Sequence, residues 1–421
     1  VWHNADLLEE INYLVEYPTP LYGRIDEEFL DLPVPAVVTP MRDHQRYYPV
    51  RKEDGSLMPY FLTVRNGGDR AIRNVQIGNE RVLRARLDDA KFFFDGDRRK
   101  SLEGHREALS RINYQEGMGT MLDKSDRLVK LVEEIGEDWN FTDTEKSDVR
   151  RAAYLSKSDL ATGMVTEFTE LQGEMGKEYA LLDGEKPKVA AAIFEQYMPR
   201  FAGDVLPKSS IGRALSLSDK LDNLAATFLR GLIPTGSQDP FALRRQTIGA
   251  IHILTDGEIH WDIRKGVKLA LALLPGTQEE KEAAANKVED FFRQRIKAIL
   301  LDEGVDYDIV DAVLTGAVDD VYAIFLKAHS MMDSHVKGEL EMRQAVTRLV
   351  NITKGKTAVE IRPELLTEEA EKNLYAALEK AGEEVTNAYN AYDYGSALPA
   401  LKTLTVPINQ FLDSVMVMVE E

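Results

Sequence analysis

The segment Ile-Gly-Arg-Ala-Leu-Ser-Leu-Ser-Asp-Lys-Leu-Asp-Asn-Leu-Ala-Ala-Thr-Phe-Leu, residues 211–229, decides the fold class of this 421-residue chain. Leu215, Leu217, Leu221 and Leu224 form one apolar stripe, and the segment is predicted to be a helix. From residue 102 onward strand signals disappear, and similar helical patterns recur in residues 122–135, 148–167, 189–197 and 241–254. Gly- and Pro-containing segments at 203–207 and 231–236 separate the helices. The sequence therefore predicts a compact helical domain over residues 101–257.

The first hundred residues combine strand and helix signals. Segments 34–39, 46–51 and 57–64 are short and rich in β-branched or aromatic residues, which predicts strands. Asp54-Gly55, between the last two, is a favoured two-residue hairpin turn. Residues 78–94 then place apolar side chains at helical spacing. We expect an α+β segment over residues 1–100, the end of a larger domain.

Two further helical blocks are predicted after residue 257. Residues 258–354 are helical and acidic, and residues 355–421 form a last block that starts near Thr367. Thr367 is a suitable N-cap, and the glutamates after it suit a helix N-terminus. The predicted fold is therefore mainly α and multidomain, with four blocks.

Composition narrows the class of protein. The chain is 44% hydrophobic and 29% charged, has no run of 18 uncharged apolar residues, and shows no signal-peptide pattern. Because it contains no cysteine, disulfides and thiolate metal sites are excluded. We expect a cytoplasmic protein with no membrane partner.

The net charge of −19 argues against indiscriminate nucleic-acid binding, so no DNA partner is expected. Acidic residues are concentrated in the C-terminal half, whereas residues 78–100 carry seven basic and five acidic side chains. A local site for a polyanion is therefore expected in the first half of the chain.

Arg42, His44 and Arg46 are the first candidates for such a site. They alternate along the chain, so on a strand they would share one face. The alternative is that they decorate a hydrated edge strand.

The helix predicted over residues 78–94 supplies a second group. Arg84 lies four residues from both Glu80 and Asp88, which predicts a self-neutralised surface. Arg86 and the run Arg98-Arg99-Lys100 have fewer local partners and are better candidates for contact with a nucleic-acid backbone.

A third group lies in residues 234–245. Asp239 is a natural N-cap and Pro240 a natural first helical residue, so we expect a helix to start there. Its N-terminal amides, with Arg244 and Arg245 one turn further on, could bind phosphate, although Asp239 would itself occupy part of that site. The alternative is a capped helix whose arginines pair with nearby acids.

Several phrases occur in a recognisable order along the chain. They include Tyr13-Leu14-Val15-Glu16-Tyr17-Pro18, Met41-Arg42-Asp43-His44-Gln45-Arg46-Tyr47-Tyr48, Gly78-Asn79-Glu80-Arg81-Val82-Leu83-Arg84-Ala85-Arg86-Leu87, Ser156-Lys157-Ser158-Asp159-Leu160 and Pro234-Thr235-Gly236-Ser237-Gln238-Asp239-Pro240-Phe241-Ala242-Leu243-Arg244-Arg245. Together they resemble the β subunit of bacterial heterotetrameric (α2β2) glycyl-tRNA synthetases, truncated at both ends.

The resemblance implies an order of domains and a division of labour. The four blocks would be the end of an editing-like domain, an HD-like helical domain, a body-and-tail segment and part of an anticodon-binding-like domain. A separate α subunit would form glycyl-adenylate from ATP with Mg²⁺. This chain would bind tRNA-Gly and the α subunit, without a catalytic residue or cofactor of its own.

The HD-like domain raises the possibility of phosphohydrolase chemistry. HD enzymes hold a divalent metal with two imidazoles and two carboxylates. At the corresponding positions this chain has Lys157, Asp159, Gln196, Asp219 and Asp222. An ammonium at a ligand position repels a cation, so no metal is expected. An HD-type phosphohydrolase and an assembly scaffold that binds no RNA remain as alternatives.

Overall fold

The computed structural model of the chain describes residues 4–236, 238–333, 340–355, 357 and 361–416. Within these residues there are nineteen α-helices and three β-strands. The strands are β1 Pro18–Arg24, β2 Tyr48–Arg51 and β3 Leu57–Asn66. The helices up to the middle of the chain are α1 Ala5–Leu14, α2 Val34–Thr39, α3 Ile72–Asp97, α4 Leu102–His105, α5 Met121–Asp138, α6 Asp143–Leu155, α7 Gly163–Glu167, α8 Glu174–Leu182, α9 Pro187–Glu195 and α10 Ser210–Leu229. The remainder are α11 Leu243–Asp256, α12 Ile263–Ala272, α13 Gln278–Asp302, α14 Tyr307–Val313, α15 Val321–Asp333, α16 Leu340–Thr353, α17 Glu369–Asn390, α18 Tyr394–Lys402 and α19 Thr405–Ser414. The prediction of a mainly α fold is confirmed.

The strands form one antiparallel sheet in the order β1-β3-β2. Helix α1, capped by the side chain of Asn4, packs Leu7 and Ile11 against Tyr48 of the edge strand β2. In β1, Gly23 lies beneath the ring of Phe61, and a Cβ atom at this position would clash with that ring.

Two expectations for the first hundred residues are wrong. Residues 34–39 form helix α2, because Pro33 and Pro35 fix the backbone at its start while Val37 and Val38 are buried. The turn at Asp54-Gly55 lies where it was expected, but the loop from β2 to β3 covers residues 52–56. The Lys52 amide donates to the Ser56 carbonyl, and Gly55 has a φ of 86°.

Helix α10 is the central element of the helical domain. It packs against α5, α6 and α9, and nearly all of its side chains are buried. Residues 148–167, predicted as one helix, are interrupted instead. Helix α6 ends at Leu155, and Lys157 has a φ of 69°, which a right-handed helix does not permit. A short 3₁₀ turn, Ser158–Ala161, then leads into α7.

The chain divides into two compact units. The first comprises Val1–Ile253 with Lys265–Val288, and the second comprises Leu254–Arg264 with Glu289–Glu421. In the second unit Ala345, Ala381, Leu404 and Ile408 form an apolar core that joins α16, α17 and α19. Helix α17 starts one residue later than predicted, since Glu368, not Thr367, is its N-cap. The division into four blocks stays a prediction.

No helix in the described part of the chain is long and apolar enough to cross a membrane.

Candidate functional site

Helix α10 carries two carboxylates into the interior of the first unit. Asp219 and Asp222 lie three residues apart and therefore on the same side of the helix. Asp222 is completely buried, and Asp219 is 7% exposed. Ionised carboxylates in such surroundings require positive partners, because burial of an unpaired charge is strongly unfavourable.

Helix α5 supplies two of these partners. Lys124 Nζ lies 3.0 Å from Asp219 Oδ1 and 2.9 Å from Asp222 Oδ2. Arg127 donates two hydrogen bonds to Asp222, from Nε to Oδ1 at 2.6 Å and from Nη2 to Oδ2 at 3.1 Å. Burial opposes ionisation of Asp222, but Lys124 and Arg127 outweigh it and hold the pKa of Asp222 below its ordinary value.

Lys157 supplies a third cation from the loop after α6. Its Nζ lies 3.0 Å from Asp219 Oδ1 and 4.1 Å from the centre of the Tyr197 ring. Burial opposes the ionisation of Asp219 as well, but Lys124 and Lys157 together hold its pKa well below the ordinary range. We call Lys124, Lys157, Asp219 and Asp222 the Asp219 centre.

The other two HD-like positions do not contact Asp219. Asp159 is fully buried, accepts a 2.6 Å hydrogen bond from the Gly173 amide, and has a pKa raised by burial. Gln196 is also fully buried, and its Nε2 donates to the Ile193 carbonyl at 2.7 Å. Of the five predicted positions, Lys157 and Asp219 are in direct contact, and Asp222 joins them through Lys124.

The charges of the Asp219 centre do not fit a divalent metal. Two ammonium groups lie at 3.0 Å from Asp219 Oδ1, where a cation would have to bind. Within the described residues, no three His, Cys, Asp or Glu side chains converge in a way that could hold a metal ion. We therefore derive no metal-dependent step for this site.

Lys124, Arg127 and Lys220 are the residues that sequence reasoning missed. A signal for the first two was present, because each lies four residues before an apolar position of α5, Leu128 and Leu131 respectively. A cation on the buried face of a helix indicates a buried ion pair. Lys220 carries the same signal, since it lies four residues before Leu224 of the apolar stripe of α10.

Lys220 lies beside Asp219 and has a different environment. Its Nζ donates to the Met198 carbonyl and to Ser216 Oγ, both at 2.7 Å. Burial, with Lys157 and Lys124 adding to it against the opposing effect of Asp219, lowers the pKa of Lys220 to about 7.

This lowered pKa predicts a pH-dependent stability. Between pH 7 and 10.5 the unfolded state binds the proton of Lys220 more tightly than the folded state does, so the Lys220 contribution to stability rises with pH. We expect the difference in free energy of unfolding between the wild type and Lys220→Met to change in favour of the wild type as pH rises through this window. Urea unfolding of both proteins at about pH 7 and about pH 9.5 measures this difference. A difference that does not change with pH would contradict the lowered pKa of Lys220.

Arg42, His44 and Arg46 do not form a strand face, and that expectation is wrong. Residues 40–44 form a π-helical turn, and Arg46 has a φ of 59°. Each side chain has an acidic partner: Arg42 binds Asp43, His44 contacts Glu170, and Arg46 binds Glu10. Each of these side chains is therefore engaged by an acidic residue of the same chain.

The basic residues of α3 and its C-terminal end are arranged differently. Arg98 is 2.6 Å from Asp183, whereas Arg86, Arg99 and Lys100 are exposed and have no ion-pair partner among the described residues. The expected pairs of Arg84 with Glu80 and Asp88 are replaced by a 2.6 Å pair with Asp26.

The segment before α11 differs from its prediction in one respect. Asp239 does cap the helix, with its carboxylate accepting from the amides of Leu243 and Arg244 at 2.8 and 2.9 Å. However, α11 starts at Leu243, so Pro240 is not its first residue. Asp239 thus fills the anion site at this helix end. Arg244 donates to the Gly236 carbonyl at 2.6 Å, whereas Arg245 is exposed.

The fold and the Asp219 centre define a mainly helical, multidomain protein whose buried polar site is built from ion pairs. A model of the glycyl-tRNA synthetase beta subunit matches residues 1–315, and a model of the DALR anticodon binding domain matches residues 342–421. The chain belongs to the glycyl-tRNA synthetase beta subunit family, as the resemblance in its sequence implied.

Individual relatives support the same family. The chain is 45% identical over 416 residues to the glycine–tRNA ligase beta subunit of Clostridioides difficile strain 630, covering 99% of this chain and 60% of that protein. It is 42% identical to that of Desulforamulus reducens, with 99% and 61% covered, and 41% identical to that of Bacillus subtilis strain 168, with 99% and 60% covered. The chain thus spans about 60% of the length of these curated relatives.

Proposed function

We propose that this chain binds tRNA-Gly and positions it for glycylation at the active site of a separate α subunit, which uses ATP with Mg²⁺. In this proposal the chain works in the cytoplasm, requires no cofactor of its own, and contacts the α subunit and tRNA but neither DNA nor membrane. It contributes binding energy and orientation, which turn an encounter between tRNA and adenylate into a nearly unimolecular transfer.

The observation that carries the proposal is the order of the two family matches. A synthetase beta-subunit match over residues 1–315 is followed in the same chain by an anticodon binding domain match over residues 342–421. A chain that combines both has the parts expected of a subunit that holds tRNA at two places.

The distribution of exposed cations, for which the described residues offer no ion-pair partner, is a second support. Arg86, Arg99, Lys100 and Arg245 are exposed and lie in the first unit, although the whole chain carries a net charge of −19. Exposed cations without a protein partner are available to phosphates, and their counterions are released on binding. The buried cations of the Asp219 centre, in contrast, are held by carboxylates.

The proposal predicts that charge reversal at Arg86, Arg99 and Lys100 weakens tRNA-Gly binding without unfolding the chain. Each lost phosphate contact costs about 1 kcal/mol or more, so the triple variant to glutamate should bind at least about 100-fold more weakly. Filter binding at one fixed salt concentration measures the affinity, and circular dichroism checks the fold.

A matched control variant separates the effect of specific contacts on tRNA affinity from the effect of net charge. Lys130, Lys188 and Lys287 are also exposed in the first unit, but they lie on three different helices, α5, α9 and α13, whereas Arg86, Arg99 and Lys100 lie along α3 and just beyond its C-terminal end. Their replacement by glutamate changes the net charge by the same amount. This control should lose much less affinity. Equal losses in the two variants would remove the proposed contact surface.

Two other functions remain as rivals. An HD-type phosphohydrolase is disfavoured because lysines lie beside Asp219 at the place of the metal. An assembly scaffold without an RNA role predicts that tRNA-Gly binds to this chain neither alone nor together with the α subunit.

A further inference from the structure

A cavity of about 290 Å³ opens at the Asp219 centre. Its lining includes Lys124, Lys157, Asp219 and Lys220, together with Gln196 and Arg245. Its volume is at the lower end of the range for small-molecule sites. It is therefore large enough for a small ligand.

Positive charge predominates in the lining of this cavity. Five cationic side chains line it, namely Lys124, Lys157, Arg200, Lys220 and Arg245, against one carboxylate, that of Asp219. Two of these cations form ion pairs with carboxylates that do not line the cavity. Asp222 binds Lys124 at 2.9 Å, and Asp204 binds Arg200 at 2.9 Å.

The remaining charges leave a positive excess. The single charge of Asp219 opposes Lys157 and Arg245, and Lys220, whose pKa is lowered to about 7, adds a further positive charge when it is protonated. An ammonium has three N–H donors. Lys220 uses two of them, on the Met198 carbonyl and Ser216 Oγ, while Arg245 has no ion-pair partner among the described residues.

An unpartnered polar atom lies in the same lining. Gln196 is fully buried, and its Oε1 has no hydrogen-bond partner in the described structure. Buried polar atoms are nearly always satisfied, so each exception calls for an explanation. A ligand hydroxyl or amino group would satisfy this acceptor.

We propose that the cavity at the Asp219 centre binds a phosphoryl group, in which Lys157, Lys220 and Arg245 replace a metal as the source of positive charge. A phosphate monoester carries about −1.5 to −2 near neutral pH, so its binding would favour the protonated form of Lys220 and balance the positive charge of the lining. Lysine binds phosphate as a point charge, and the forked guanidinium of Arg245 can donate to two phosphate oxygens.

The phosphoryl group could belong to a small phosphate ester or to an RNA. The site goes beyond the proposed function, because it stands on the lining residues and would exist in a chain that binds no tRNA. Lys220 is buried and lines the cavity, so a loss of affinity on its replacement reports on the cavity and not on the exposed surface.

The test uses the full chain and three probes: inorganic phosphate, AMP and a tRNA-Gly transcript. Calorimetric titration should detect one saturable site for phosphate or AMP, weakened about 10-fold or more in Arg245→Ala and in Lys220→Met. Lys287→Ala, at an exposed lysine that does not line the cavity, should leave binding unchanged. Because Arg245 is exposed, its variant keeps the test valid even where Lys220→Met does not fold.

The three arms distinguish the sources of the phosphoryl group. Binding of phosphate or AMP that both variants weaken supports a small-ester site. Loss of tRNA affinity in both variants, without binding of the small probes, supports an RNA phosphate as the occupant. Unchanged binding of all three probes in both variants overturns the site, whereas tRNA binding lost only in the Arg86, Arg99 and Lys100 variant leaves the proposed function intact.

Discussion

Replacing Asp222 by alanine is expected to lower the free energy of unfolding by about 3–5 kcal/mol, because it leaves two buried cations without their shared partner. Lys124 and Arg127 both bind Asp222, at 2.9 and 2.6 Å, and the three side chains are almost entirely buried. Lys124 would retain Asp219, but Arg127 would lose both of its hydrogen bonds to a carboxylate.

Urea unfolding followed by circular dichroism measures the effect as a lower midpoint at a similar slope. Glu133→Ala is the matched control, since Glu133 forms a pair of similar length, 2.7 Å, with Arg150 on the surface. Exposed pairs of this kind contribute at most about 1 kcal/mol. If Asp222→Ala were no more destabilised than Glu133→Ala, the Asp219 centre would not be the ion-pair network described here.

The affinity for tRNA-Gly should fall steeply with salt. If Arg86, Arg99, Lys100 and Arg245 each neutralise one phosphate, raising the salt from about 50 to about 200 mM should weaken binding about 50- to 150-fold. The physical reason is the release of condensed counterions, which becomes less favourable as the salt concentration rises.

The charge-reversal variant provides the internal check. With Arg86, Arg99 and Lys100 reversed, only one of the four contacts remains, so the same change in salt should weaken binding only about threefold. Filter binding at four or more salt concentrations gives both slopes. Identical slopes for the wild type and the variant would show that these cations contact no phosphate.

The helices of the first unit were predictable because their apolar stripes repeat at helical spacing. Helices α5, α9 and α10 lie within a few residues of their predicted bounds. The failures have local causes. In residues 34–39 the β-branched side chains favour a strand by propensity, but the prolines and the burial of Val37 and Val38 favour a helix. The break after α6 depends on the positive φ of Lys157, which no sequence pattern indicates.

The candidate site was only half predictable. Asp219 and Asp222 were found through the family resemblance. Lys124, Arg127 and Lys220 lie on helix faces that the apolar spacing marks as buried, but they were missed because lysine and arginine are seldom buried unless paired. Their role depends on the packing of α5 against α10, which brings Lys124 to both carboxylates. Likewise Arg42, His44 and Arg46 looked free in the sequence, and only the fold brings them to Asp43, Glu170 and Glu10.

The central proposal is that this chain contributes tRNA binding to glycylation, while the chemistry takes place in a separate α subunit. Filter binding of labelled tRNA-Gly to the chain, in the presence and absence of the α subunit and with a tRNA of another acceptor type as competitor, tests it most directly. The account predicts saturable retention of tRNA-Gly that the competitor displaces only at higher concentration. Absence of retention both with and without the α subunit would contradict the claim and favour an assembly scaffold.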